Sequence, residues 1–292
     1  MDVEITKLSG ESFRLSEYDV YARDFIVESI EVIPNYSAVD GRNGRVDNGA
    51  TYGGRGISVP FLYKAADMHD VALLRDELSG LTVDREPFYV RELRRLKYHP
   101  GHVYGDESEY GDRLIGGKRY LVRAASTFDV EQTALYGFGD LSFETTELPF
   151  AESVGTTADI EQYGISDERG IWGFGMGLIS DDESLKYTHT AYSFRIYNAG
   201  NVSVCPFERD IKITVKGAAS GYKLTNMTTG ESFEYIGWES GELALDGAYV
   251  TMNGIQALRD TNRHFISLTP GWNEFTQNQA KEISFDFRFY YK

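Results

Sequence analysis

The chain has 292 residues, 41% hydrophobic and 25% charged, a balance typical of a folded globular protein with room for two domains of ordinary size. Its formal net charge of −16, with acidic residues spread through both halves, repels phosphate backbones and anionic membranes, so nucleic acid is a poor partner for it. The single cysteine, Cys205, excludes an intrachain disulfide framework and reads as a small buried hydrophobe, and no apolar run approaches the length of a membrane span.

The N-terminal "MDVEITKLSGESFRL" is acidic and alternating, without the basic and apolar regions of a signal peptide. The expectation is synthesis in a cytoplasm without secretion, which makes the sequons at Asn35, Asn201 and Asn226 accidental. Aromatics reach 14%, with 20 Tyr and 17 Phe, and glycine is frequent, which points to a mainly β fold. Residues 39–59, "VDGRNGRVDNGATYGGRGISV", carry six glycines. The run lacks the lysine of a phosphate-binding loop. A calcium loop starting at Asp40 fails as well, because Arg42, Gly44 and Thr51 stand where ligands would be needed. What remains is turn chemistry: Asp40-Gly41, Asn43-Gly44 and Asn48-Gly49 are hairpin dipeptides, predicted to join "IEVIP" to "ISVPFLY".

In residues 67–81, Val71, Leu74, Leu78 and Leu81 recur at spacings of three and four and predict one amphipathic helix. Asp67 is its expected N-cap, Asp70 lies in an acidic first turn, and Gly80 is the expected C-terminal cap. The polar, glycine-rich stretch 99–112, with His99 and His102 on a Pro-Gly turn, reads as a long loop between strands. Strand-like runs follow in "KRYLVRA" and "DLSFETT", and the periodicity then weakens over 151–175. Beyond it, "SFRIY", "RDIKITVK", "YKLTN", "SFEYI", "HFISL" and "ISFDFRFYY" alternate with period two, placing Ile211, Ile213 and Val215, and Phe285, Phe287 and Phe289, on single faces. The expected organisation is a first domain over 1–152, a connection over 153–175 and a second domain over 176–292.

Catalytic signatures fail in turn. No G-x-S-x-G, H-E-x-x-H or C-x-x-C is present, and "GFGMG" at 173–177 lacks the βαβ setting of a dinucleotide fingerprint. With 45 acidic residues, carboxylate pairs arise by chance, so none can be singled out as an acid/base pair. No enzyme, metal or cofactor is expected.

The order of features resembles a family. A strand, "DGRNG", "YGGRGISVPF", the helix, "KRYLVRA" and "FETTELPFAES" follow one another as in the distal tail protein (Dit) of long-tailed phages infecting Gram-positive bacteria. The second half is similar in "YNAGNVSVCPFERDIKITVKG", "LTNMTTGESF", "GELALDGAYVTMNG" and "FISLTPGWNEF". The resemblance implies an N-terminal β-sandwich belt domain with one helix, forming a hexameric ring, and a C-terminal galectin-like β-sandwich. It implies a structural hub of the tail tip in the virion. The expected partners are other copies of the chain, the tail tube protein, the tail-associated tip or lysin protein and receptor-binding proteins.

With the family in view, Arg42, Arg45 and Arg55 are either contacts to carboxylates on the next copy or solvated residues of a hairpin. The stretch 99–112 is longer than the resemblance leads one to expect, and either extends a gripping arm or lines the ring. A carbohydrate-binding module attaching the virion to the host cell wall is the alternative reading. Trp272 and Trp238 are then the residues that could stack on a sugar, although the H-x-N-x-R strand of galectins is absent.

Overall fold

The computed structural model describes residues 1–95, 114–165, 170–173 and 175–292. The stretch 99–112, with His99 and His102, lies outside the described residues. The chain divides into two compact units, Met1–Ala151 and Glu152–Lys292.

The first unit is built on one antiparallel sheet. Its strands run in the order Ser12–Arg14, Asp2–Lys7, Phe88–Arg95, Lys118–Ala124, Tyr136–Thr145, Gly56–Lys64 and Val20–Ala22. The sheet folds over until Val20–Ala22 returns against Asp2–Lys7, so its inner face encloses a single core. Period two does this work: in Gly56–Lys64, Ile57, Val59, Phe61 and Tyr63 point inward and are buried, while the residues between them are less so. Val3, Ile5, Phe88, Val90, Leu141 and Phe143 fill the same core from the neighbouring strands, with the Phe88 and Phe143 rings edge to face at 5.7 Å.

The helix forms over Asp70–Thr82, as its apolar stripe predicts. Val71 and Leu78 are buried, with Leu74 and Leu81 partly buried against the same core. Asp67 satisfies the free N–H groups at the start, its Oδ1 accepting from His69 N (2.7 Å) and Asp70 N (3.1 Å). Gly80 does not end the helix. The helix runs two residues further, and the Thr82 and Ser79 hydroxyls donate to the carbonyls of Leu78 and Arg75.

The second unit is a β-sandwich. One sheet orders Thr188–His189, Glu282–Phe287, Ile211–Ala218, Gly241–Asp246, Tyr249–Met252 and Ile255–Gln256; the other orders Ser193–Asn198, Gly271–Gln277, Tyr222–Asn226 and Ser232–Tyr235. Ile211, Ile213 and Val215, and Phe285 and Phe287, are buried as their alternation requires. The sheets meet through aromatic rings, Phe285 lying 5.0 Å from Phe275 and 6.1 Å from Phe194. Buried amides are paired: Gln277 Oε1 accepts from the Tyr222 hydroxyl (3.0 Å), and its Nε2 donates to the carbonyls of Ala191 and Lys281.

Three local expectations differ. "HFISL" buries Ile266 and Leu268 but joins a neighbour only at the Leu268–Val204 bridge, because the Glu231 carboxylate takes the Ser267 N–H (2.7 Å). Residues 153–175 contain a short helix, Thr157–Tyr163, opened by a reciprocal cap between Thr156 and Asp159. Thr157 pins that helix to the second sheet-forming strand, donating to the Phe285 carbonyl (2.8 Å) and accepting from Phe287 N (3.1 Å), and Ile171 and Trp172 are buried in the same unit. Cys205 is half-buried in a turn, its carbonyl accepting from Glu208 N and Arg209 N.

The two sides of the first helix should respond differently to truncation. Leu78→Ala, in the core, should lower the stability of the first unit by about 2–5 kcal/mol. Leu73→Ala, on the exposed side, should change it by no more than about 0.5 kcal/mol. Urea denaturation of the two variants checks this, and equal midpoints would show that the helix is not seated through this stripe.

Candidate functional site

The glycine-rich stretch builds a projecting feature of the first unit. Strands Val32–Ser37 and Val46–Tyr52 form a two-stranded sheet of their own, pairing Val32 with Tyr52, Pro34 with Ala50 and Tyr36 with Asp47. The partner of "IEVIP" is therefore "VDNGATY". "ISVPFLY" instead pairs with Tyr136–Thr145 in the main sheet. The reason lies in how the Asx-Gly dipeptides are used. Val39 to Arg42 form the turn, closed by Arg42 N–H donating to the Val39 carbonyl (3.1 Å), with Gly41 at φ +78°. Asn48-Gly49 forms a β-bulge within the second strand, where the register shifts and Gly49 takes φ +92°.

Val32, Pro34 and Tyr36 share one side of the hairpin by strand alternation, and Tyr52 and Ala50 stand opposite the first two. All five are exposed. The hairpin thus carries an apolar face that its own unit leaves largely uncovered. Among the described residues, Tyr52 touches the body of the unit through a ring contact, edge to face with Phe150 at 5.6 Å.

The three arginines separate. Arg42 and Arg45 are exposed near the tip, the Arg45 guanidinium 4.6 Å above the Tyr36 ring. Among the described residues, neither has a carboxylate partner. Arg55 is buried, 7% exposed, inside the first unit. Its backbone exchanges hydrogen bonds with Thr145, and its guanidinium lies 5.9 Å from the Tyr120 ring. Burial raises the Tyr120 pKa and the charge of Arg55 pulls it back down. Proximity in sequence groups Arg55 with the hairpin, but the chain has already entered the main sheet by that point, so its side chain is used within the fold.

The two tryptophans also differ. Trp272 lies half-buried on the sheet Ser193–Asn198 to Ser232–Tyr235, with Tyr197 5.0 Å away and the Arg195 guanidinium 4.4 Å over its ring. Arg195 is held by Glu183, and both line an open depression with His189, Ser193, Glu274 and Thr276. Trp238 is 97% exposed. No group of three or more His, Cys, Asp or Glu is placed to hold a metal among the described residues, and none of their helices is long and apolar enough to cross a membrane. Within "GFGMG", Gly175 and Gly177 take positive φ.

Comparison with known proteins agrees with this architecture. Residues 8–145 match the family described as phage tail protein RIFT-related domain. Among solved structures, the chain is similar to the Dit protein of phage SPP1, a paradigm of the hub adsorption apparatus in phages infecting Gram-positive bacteria. The identity is 12%, with 98% of this chain and 99% of that one covered and a TM-score of 0.61. A chain of the phage P2 baseplate in its activated, calcium-containing conformation is 8% identical over 99% of this chain and 97% of that one. Its TM-score of 0.42 is too low to support an argument. No curated protein sequence matches significantly. Residues 8–145 thus resemble the phage tail protein RIFT-related domain, and the chain as a whole has the fold seen in the Dit protein of phage SPP1.

Proposed function

We propose that the chain is a structural, non-enzymatic hub of a phage tail tip. Copies close into a hexameric ring that joins the tail tube protein to the tail-associated tip protein and to receptor-binding proteins in the virion. The tail-protein domain over residues 8–145 and the Dit-like fold support the tail role.

The single observation that carries assembly is the hairpin. An isolated two-stranded sheet is marginal in water, and this one presents Val32, Tyr36 and Tyr52 to solvent beside two arginines without carboxylate partners among the described residues. In a ring, one surface of each copy meets a different surface of the next, so the apolar face and the arginines would be covered together. A carboxylate-bearing surface of the neighbouring copy suits Arg42 and Arg45, and the chain's 45 acidic residues give many to choose from. The domain reading under this proposal is a ring-forming first unit and a galectin-like second unit.

Light scattering across a range of protein concentrations tests the reading. The expected result is a mass six times that of the chain, and a monomer at every concentration would overturn self-assembly through this surface. Tyr36→Ala and Arg45→Ala should each raise the concentration needed for the ring by roughly tenfold, with unchanged thermal stability of the free chain. Arg55→Ala should behave in the opposite manner. It removes a buried side chain and should lower the stability of the first unit by about 1–3 kcal/mol, which differential scanning calorimetry would read. If Arg55→Ala weakened the ring without destabilising the fold, the division of roles among the arginines would be wrong.

A further inference from the structure

The dipeptide Asn-Gly occurs three times, at Asn43-Gly44, Asn48-Gly49 and Asn253-Gly254. This pair can modify itself. The glycine nitrogen, on losing its proton, attacks the carbonyl carbon of the asparagine side chain, and glycine puts no side chain in the way. A bond forms from that nitrogen to Asn Cγ, the Cγ–Nδ2 bond breaks, and ammonia leaves with the proton. Water then opens the resulting succinimide at either carbonyl, giving aspartate or isoaspartate. Asparagine and water are consumed, a carboxylate and ammonia are produced, and nothing is oxidised or reduced. The fold decides whether the two reacting groups are free to meet.

At Asn253 they are not. Its Oδ1 accepts from Glu242 N (2.9 Å) and its Nδ2 donates to the Ser240 carbonyl (3.3 Å). Its own N–H is held by the Glu242 carbonyl (2.8 Å), so the turn after Tyr249–Met252 is fixed on every side. At Asn48 the attacking group is engaged, because the Gly49 N–H donates to Asp47 Oδ1 (2.9 Å) within a paired strand. Asn43-Gly44 has neither restraint. Both residues are exposed, in a bend beyond the last hairpin pair, Ser37 with Val46. Among the described residues, no hydrogen bond holds the Asn43 side chain or the Gly44 N–H. A Cβ on Gly44 would meet nothing within 4 Å, so the approach is open. Arg42 and Arg45 stand on either side, and their positive charge favours loss of the proton from the nitrogen between them.

We propose that Asn43 is a modification site, the position at which this chain deamidates without an enzyme, and that the change discharges the hairpin tip. Residues 40–45 set Arg42 and Arg45 against Asp40, a net of one positive charge, and a new carboxylate at 43 cancels it. The reaction does not depend on the hub reading, but its effect on assembly rests on it. Arginines that would pair with carboxylates of the next copy acquire a carboxylate beside them in their own chain. A copy that stays unassembled ages at the tip, whereas a tip held against a neighbour loses the freedom that ring closure needs.

The test holds the full chain at physiological temperature and mildly alkaline pH, with digestion and tandem mass spectrometry at intervals. A steady gain of the mass of an NH2-to-OH exchange is expected at residue 43, with Asn48 and Asn253 slower by roughly five- to tenfold or more. Asp47→Ala releases the Gly49 N–H and should raise the rate at Asn48 by a similar factor. In concentrated urea the three positions should react at similar rates. No gain at residue 43 would overturn the proposal, as would equal rates at the three positions in the folded chain. Selection of Asn43 that persists in urea would also overturn it, since the fold would then not be what singles it out. Light scattering reads the discharge: Asn43→Asp should need roughly tenfold more protein to form the ring than Asn43→Gln, and equal requirements would overturn that part. Failure of the unmodified chain to assemble would count against the hub reading instead, and the mass readout would still decide whether Asn43 is the site.

Discussion

The pairing of Gly56–Lys64 with Tyr136–Thr145 is the constraint on which the first unit rests. Nine residue pairs run in continuous register, from Tyr136 opposite Lys64 to Glu144 opposite Gly56. Within it, Gly137 and Gly139 face Tyr63 and Phe61, and a Cβ at either glycine would overlap the ring it faces. The two aromatics reach the core because their partners have no side chains. A slip of one residue would move Tyr63 and Phe61 to the outer face and put Leu62 inside, so the glycine positions and the hydrophobic pattern specify the same register.

That register also sets where the hairpin stands. The chain leaves the hairpin at Tyr52 and is committed to the core by Ile57, and only Gly53, Gly54, Arg55 and Gly56 lie between. Arg55 is anchored within this connection by its backbone bonds to Thr145, one residue beyond the end of the nine-pair ladder. The base of the hairpin is therefore tied to the best-packed part of the unit, while its length stands clear. A stiff root and an uncovered apolar face make sense together in a chain that meets another surface, since a rigid element loses less freedom on contact.

Much of this was legible in the sequence because the signals are local. Alternation located many of the strands of both units, and the Val71–Leu81 stripe located the helix to within two residues. The errors occurred where one signal serves two structures. Asn48-Gly49 supplies a positive φ equally well to a turn and to a bulge, and only the pairing of Val32 with Tyr52 decides between them. Gly80 marks a helix end only if the next turn finds no better support, and Thr82 supplies it. The Thr156–Asp159 cap was readable as a helix start, but seven residues are too few for a periodic stripe.

The bulge at Asn48-Gly49 has a consequence for how copies would join in the proposed ring. A flat, regular, apolar hairpin offers each new strand an edge identical to the last, and growth by strand addition has no natural end. Here the ladder is broken in register by the bulge, and Pro34 removes one backbone donor near the same point. Backbone-templated polymerisation is thereby made harder, while the side chains on the apolar face stay available. Contacts made through side chains require a particular shape on the other surface, and it is shape that lets an assembly stop at a definite number of members.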